Sequence, residues 1–306
     1  MKAVGYKVGG SPDTLKIIEM NDPVPKANEV LIKIHAASVT AGDIHLRKFS
    51  SLFWLIFKIF GLKKKINLGN EYAGEIIEIG ADVSLYKKGD FVYGTTTGLK
   101  EGSYAEYICI PEKDSQGGLS SRAMGLMPKN IDFKTAATVP VGGMAACDLL
   151  KKANITQGTK ILIYGASGSV GTYALQLAIN LGAVVTGVCG TSNITLVQSL
   201  GAVHVIDYTK NDLYSILEKF DVVFDAVGKI SKSKCKSIMK PNGKYITVKS
   251  PTSEKKEYLD NLKRLIEEGK VKPIIDRIYP MEKISEAHTY VEKGHKKGNV
   301  VIEINK

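Results

Sequence analysis

Apolar and polar side chains alternate from residue 29 to residue 37 (EVLIKIHAA), the two-residue period of a strand with one face buried. YAGEIIEIG at 72–80, GDFVYG at 89–94 and SYAEYICI at 103–110 have the same pattern, with turn residues between them. The first third of the chain is therefore expected to form a compact β-rich unit. The pattern changes near residue 122. Residues 131–139 and 143–153 have helical character, and KILIY at 160–164 is a short unbroken apolar run, as in a strand covered on both faces of a parallel sheet. A helix at 170–181, a strand at 184–188, a helix around 196–200, a strand at 203–206, a helix around 213–217, and strands at 222–224 and 245–248 follow. This alternation predicts an α/β fold with a doubly wound parallel sheet. EYLDNLKRLIEE at 257–268 is an amphipathic helix that Gly269 stops. The tail returns to strand at 274–279, helix at 284–291 and strand at 299–304.

Composition narrows the function classes. The chain has 306 residues, 44% apolar and 24% charged, enough for two domains with cores of their own. Its 42 Lys+Arg against 31 Asp+Glu leave a formal charge of +11, which invites a nucleic-acid reading. The lysines are scattered, however. The only dense cluster is Lys63–Lys65, and no aromatic–basic interleaving accompanies it, so no nucleic-acid partner is expected. The four cysteines stand singly, without a CxxC or a Cys/His cluster of zinc-ligand spacing, which argues against a disulfide scaffold and a structural zinc. MKAVGYKVGG lacks the apolar core of a signal peptide, and the longest apolar patch, 52–60, is far short of the ~20 residues of a membrane span. A cytoplasmic location is the expectation.

The most specific motif is ILIYGASGSVGTYALQLA at 161–178, where Gly165, Gly168 and Gly171 separate a buried strand from a helix. Glycine there permits a sharp turn and lets the backbone approach a pyrophosphate, while the helix N-terminus favours the anion. Gly165, Ser167, Gly168, Ser169 and Val170 are thus candidate dinucleotide contacts. An NAD-selective site places Asp or Glu about 20 residues further on, to hold the ribose 2′-OH. This chain has Gly190, Thr191, Ser192 and Asn193 instead: no carboxylate to repel a 2′-phosphate, and three side chains able to donate hydrogen bonds. NADPH is expected in preference to NADH. The same residues are also good helix N-caps, and both roles are compatible.

The motifs AASVTAGD at 36–43, LGNEYAGEIIEIG at 68–80, KKGDFVYG at 87–94, GSYAEY at 102–107, TAATVPVGGMAA at 135–146 and SLGAVHVIDY at 199–208, with the glycine loop, resemble the medium-chain dehydrogenase/reductase superfamily over essentially the whole chain. The closest resemblance is to its zinc-independent quinone oxidoreductase branch. It implies a GroES-like catalytic domain from 1–121 and 274–306, a Rossmann domain at 122–273, and a homodimer. Zinc-dependent members carry a cysteine near Thr40, a histidine where Asn70 stands, and a third ligand near 141–143, where this chain has no ligating side chain. No zinc is expected, since Glu71 alone cannot hold the metal. Without that Lewis acid, the accessible acceptor is a small apolar electrophile such as a quinone, enone or enal.

By the same resemblance, His45 stands where relatives often place a tyrosine near the substrate, and its imidazole is a candidate proton donor. Asn70 and Tyr72 fall where the metal motif lies in relatives and are candidate cleft residues. Asp43 is read as a tie for its own turn. Tyr208 matches a tyrosine at the adenosine phosphate. Ala226 and Val227 match a loop at the nicotinamide ribose, and Val248 and Lys249 sit similarly after the last strand of that unit. The apolar stretch 49–65 (FSSLFWLIFKIFGLKKK) has three readings: a helix packed on the β-rich unit, a lid over the substrate, or peripheral contact with an anionic membrane through Lys58 and Lys63–Lys65. The expected activity is NADPH-dependent, zinc-independent reduction of quinones or α,β-unsaturated carbonyls. The rivals are an alcohol or carbonyl dehydrogenase and a non-catalytic NADPH-binding regulator or membrane-associated protein.

Overall fold

The computed structural model describes residues 1–7, 9–49, 66–114 and 122–304. In chain order the elements are β1 (Lys2–Gly5), β2 (Lys16–Glu19), β3 (Glu29–Ser38), α1 (Ala41–Lys48), β4 (Glu71–Ile79), β5 (Phe91–Thr95), β6 (Tyr107–Pro111), β7 (Met124–Leu126), α2 (Phe133–Ala136) and α3 (Pro140–Ala153). They continue as β8 (Lys160–Tyr164), α4 (Ser169–Asn180), β9 (Val184–Cys189), α5 (Ile194–Ser199), β10 (His204–Asp207), β11 (Phe220–Asp225), α6 (Lys232–Cys235) and β12 (Met239–Thr247). The last are α7 (Lys256–Glu267), β13 (Ile275–Pro280), α8 (Ile284–Glu292) and β14 (Asn299–Glu303). The chain divides into two compact units, Met1–Val141 with Glu254–Arg264 and Ile275–Lys306, and Gly142–Ser253 with Leu265–Ile274.

In the first unit a seven-stranded sheet runs β13-β14-β3-β4-β5-β7, with β6 also paired to β3. Alternation along β3 suggests one solvated face, yet only Lys33 and His35 are even partly exposed. The strand is central, hydrogen-bonded to β4, β6 and β14, and both its faces are covered. One core gathers Ile32, Ile34, Tyr72, Ile76, Val92 and Ile108. A second gathers Val4, Leu68, Tyr104, Ile284 and Ile302. Each fully buried aliphatic or aromatic side chain stabilises such a core by roughly 1.5–3 kcal/mol.

The hydrophobic pattern does not predict helix α1, which carries His45. Its start has a capping box: the Thr40 hydroxyl accepts from the Asp43 N–H, and the Asp43 carboxylate accepts from the Thr40 N–H. Its inward face consists of Asp43, Ile44 and Arg47. Two charges among three buried residues hide the helical period. The buried Arg47 guanidinium pairs with Glu292 of α8 and donates to the Gly10 carbonyl.

The second unit is a five-stranded parallel sheet in the order β10-β9-β8-β11-β12. Ile161, Leu162 and Ile163 of β8 are all buried, as an apolar run in the middle of a covered sheet requires. From β8 the chain winds outward to β9 and β10, then returns to β11 on the other side of β8. The order reverses there, and in such sheets ligands bind beyond the carboxyl ends of the strands at this point. The helix expected around 213–217 is a single 3-10 turn, Leu213–Ser215. Leu213 and Leu217 would share one face of a helix, but only Leu213 enters the core and Leu217 is 93% exposed. Residues 131–139 yield only the four-residue α2.

Candidate functional site

In the second unit the Gly-rich loop follows β8 directly. Gly165 adopts φ +79°, a left-handed conformation that favours glycine. A Cβ on Gly171 would lie 2.0 Å from the Gly165 carbonyl oxygen, so the loop and the first turn of α4 touch backbone to backbone. Gly168 is different. It caps α4 without any side-chain hydrogen bond, and a Cβ there would meet nothing nearer than the Gly165 oxygen at 3.5 Å. No packing inside the protein requires glycine at this position. Its bare backbone leaves open the space over the helix N-terminus, where unpaired N–H groups favour an anion. These residues fit a dinucleotide pyrophosphate.

The structure brings the other candidate cofactor residues to the same carboxyl edge. Ala226 and Val227 follow β11, which pairs with β8, and a Cβ on Gly165 would strike the Val227 side chain at 2.2 Å. Val248 and Lys249 follow β12, and the Val248 N–H donates to the Asp225 carbonyl at 3.1 Å. Asn193 Nδ2 donates to Ser167 Oγ at 3.0 Å, tying the segment after β9 to the glycine loop. Tyr208 is half-exposed, and its hydroxyl lies 3.4 Å from where a Gly190 Cβ would be. All three donors expected to face a 2′-phosphate are already engaged: the Asn193 amide with Ser167, the Thr191 hydroxyl with the Asp207 carboxylate, and the Ser192 hydroxyl with Asn193 Oδ1 at 3.4 Å.

Two acidic residues in this unit escaped the sequence reading. Asp225 is fully buried. One carboxylate oxygen accepts from the Val227 and Gly228 N–H groups at 3.1 and 2.8 Å, and the other from the Ile230 N–H at 3.1 Å and the Tyr245 hydroxyl at 3.2 Å. It fixes the loop that carries Ala226 and Val227. The carboxyl three residues before a glycine at a strand end is the local signal for such a turn. Asp207 holds Thr209 two residues on, but its contact with Thr191 has no local signal, because that residue is brought to it by another strand.

In the first unit Asn70 ends a clamped loop and Glu71 opens β4. Gly69 has φ +103°. Its N–H donates to Asp43 at 3.0 Å and its carbonyl accepts from the Thr96 hydroxyl at 2.7 Å. Ser103 Oγ donates to the Glu71 carbonyl at 2.7 Å. Asn70 is partly exposed. Its Nδ2 donates to Thr40 Oγ1 at 3.3 Å, and a Cβ on Gly42 would lie 2.8 Å from that nitrogen. Asp43 therefore caps α1 and anchors the loop at once. Asp43→Ala is expected to cost about 3 kcal/mol, because two charge-assisted groups of hydrogen bonds vanish together. Urea denaturation checks this, and a change below 1 kcal/mol would contradict it.

Glu71 is 1% exposed. One carboxylate oxygen accepts from the Ser38 hydroxyl and the other from the Val141 N–H at 2.7 Å. Burial pushes its carboxyl up to about 7, against the lowering pull of those hydrogen bonds and of Lys296. Lys296 is pushed down to about 8 by burial, with Glu71 and Asp276 opposing. Each group favours the charged form of the other, but burial outweighs that attraction at both, and the Lys296 ammonium donates to the Gly298 carbonyl.

The side chains of the remaining candidates point away from Asn70 and Glu71 or lie outside the described residues. Tyr72, next in sequence, turns into the core with 0% exposure, and its hydroxyl has no hydrogen-bond partner among the described residues. His45 is exposed on the last turn of α1, where a cation complements the helix dipole. The segment 49–65 lies outside the described residues from position 50 onward. Among the described residues no His/Cys/Asp/Glu group has the makings of a metal site, and no helix is long and apolar enough to cross a membrane.

A β-rich unit holding Asn70 on a clamped loop beside Glu71 and a parallel-sheet unit with a Gly-rich phosphate cradle define the architecture of a two-domain nicotinamide-dependent dehydrogenase. Comparison with known proteins places the chain within that class. The family model for the alcohol dehydrogenase GroES-like domain matches residues 26–116, and that for zinc-binding dehydrogenase matches 200–257 and 250–302. The chain is 34% identical to a 2-methylene-furan-3-one reductase of Solanum lycopersicum, over 99% of this chain and 79% of that protein. It is 33% identical, with the same coverage, to a chloroplastic NADPH-dependent alkenal/one oxidoreductase of Arabidopsis thaliana. The quinone oxidoreductase structure from Coxiella burnetii superposes with a TM-score of 0.84 at 27% identity, covering 100% of this chain and 99% of that one. The chain belongs to the medium-chain dehydrogenase/reductase superfamily, in its quinone oxidoreductase-like branch.

Proposed function

We propose that the protein is an NADPH-dependent reductase of quinones or α,β-unsaturated carbonyls that works without zinc. The observation that carries this reading is the donor set of Asn70 and Glu71. Where a metal would need imidazole or thiolate, they offer an amide and a carboxylate already engaged by Ser38 and Val141. The relatives named for alkenal/one and quinone reduction support the substrate class and the cofactor.

Bound NADPH supplies hydride from nicotinamide C4. Gly165–Ser169 and the first amides of α4 would hold its pyrophosphate, and Asp225, which fixes the 226–230 backbone, would keep that loop in place for the ribose. Asn70 donates one amide hydrogen to Thr40, which orients the amide and leaves its second hydrogen for a substrate oxygen. Charge on a conjugated acceptor grows on an oxygen away from the attacked carbon, and an amide donor held in position stabilises it without reorganising. Protonation of the product is left to water or to the exposed His45.

The test follows NADPH oxidation with quinones, enals and simple aldehydes. Conjugated acceptors should turn over, simple aldehydes should not, and a chelator should leave the rate unchanged. Asn70→Ala is expected to lower kcat about ten- to hundredfold with little change in thermal stability. Activity lost to a chelator and restored by zinc would overturn the metal-free reading. Unchanged turnover in Asn70→Ala would remove the amide from the mechanism.

A further inference from the structure

The segment Gly190–Asn193 carries no acidic residue, yet a carboxylate lies against it. Asp207 ends β10 and stands in register with Cys189, the last residue of β9. It is 5% exposed. One oxygen accepts from the Thr209 N–H at 2.9 Å and the Thr209 hydroxyl at 2.7 Å, and the other accepts from the Thr191 hydroxyl. The two threonine hydroxyls lie 3.0 Å apart. Hydrogen bonds from both threonines hold the carboxyl below its usual range, so it stays ionised at neutral pH.

We propose that Asp207 is a specificity-determining residue of the dinucleotide site, one that weakens the hold on an adenosine 2′-phosphate. The inference rests on the NADPH reading above and refines it. In a dinucleotide-binding fold the end of the second strand is where the 2′ position of the adenosine ribose is read. At this level β9 supplies no charge, and β10 supplies Asp207 one hydroxyl away. Two effects follow. The carboxylate adds a like charge beside a phosphate bound at Thr191–Ser192. It also takes the Thr191 hydroxyl proton, so that this hydroxyl faces the phosphate as an acceptor. The ammonium of Lys210, three residues on, offsets part of the charge but restores no donor. A 2′-hydroxyl, neutral and itself a donor, suffers neither effect. The chain therefore binds NADPH with less discrimination against NADH than an acid-free GTSN segment implies.

The experiment measures Kd for NADPH and NADH by nicotinamide fluorescence, and for 2′-phospho-ADP-ribose and ADP-ribose by calorimetry, on the whole protein and on Asp207→Asn. The variant should bind NADPH about three- to tenfold more tightly and NADH within about twofold of the parent. 2′-Phospho-ADP-ribose should follow NADPH. Asp207→Ser, smaller and also uncharged, carries the same expectation if the amide variant does not fold. An unchanged NADPH/NADH ratio, or equal shifts for both ligands, would overturn the inference and assign Asp207 a structural role. If the parent binds neither dinucleotide, the NADPH reading falls and the inference falls with it.

Discussion

Glu71→Gln is expected to stabilise the protein at neutral pH and to leave it unchanged in acid. The sign follows from where the proton sits. The folded-state carboxyl lies at about 7, against 4.5 for an unperturbed glutamate, so between these values the folded state holds more protons than the unfolded one. The stability contributed by the protonated group is complete below 4.5 and is lost as pH rises through 7. Glutamine keeps the shape and an acceptor for the Val141 N–H, and it carries no charge to bury. At pH 7.5 the variant should gain about 2–4 kcal/mol, visible as a thermal midpoint higher by several degrees. At pH 4.5 the two midpoints should coincide. Lys296 produces the opposite slope. Its ammonium is depressed to about 8 from 10.5, so stability lost as pH falls through 8 is regained toward 10.5. A midpoint difference between Glu71→Gln and parent that does not change with pH would refute this account.

Two glycines three positions apart should fail in different ways. In Gly171→Ala the new Cβ meets the Gly165 carbonyl oxygen at 2.0 Å and the Ala166 Cα at 2.9 Å, so backbone must move. The variant should lose about 3 kcal/mol or more and bind dinucleotide poorly because its loop is displaced. Gly168→Ala meets only an oxygen at 3.5 Å, at φ −83° and ψ 179°, which alanine adopts freely. Its fold should survive with a loss of about 1 kcal/mol or less, from the poorer N-cap. Its affinity for NADPH should nonetheless fall at least about tenfold, because the methyl group occupies the space a pyrophosphate needs. Fluorescence titration and thermal melts separate the two. Parent-like binding by Gly168→Ala would mean that the anion does not sit on this helix terminus.

What the sequence discloses depends on whether the physical cause is local. The unbroken KILIY run, the glycines after it and the amphipathic 257–268 stretch act within one element, and the structure has each where the pattern implies. Helix α1 was hidden because its buried face carries Asp43 and Arg47, whose partners come from distant segments. The turn at 213–215 imitates a helix in sequence because leucines four apart mimic an apolar face that the core receives only at Leu213. The site shows the same division. Gly165, Gly168 and the residues after β9, β11 and β12 are legible from position along a winding sheet. Asp207 and Glu71 are not. The first matters because a neighbouring strand lays it beside Thr191, and the second because the first unit buries it, and neither fact leaves a mark on the residues around it.

Asp225 makes the stiffness of the loop after β11 independent of the side chains that the loop displays. Four donors converge on a carboxylate with no solvent contact, while Val227, two residues on, is 44% exposed and makes no hydrogen bond through its side chain. The loop thus separates shape from surface chemistry. A substitution at Val227 changes an exposed side chain and leaves the four hydrogen bonds of the turn in place, whereas one at Asp225 removes all four. The backbone of the turn is therefore set by the carboxylate beneath it.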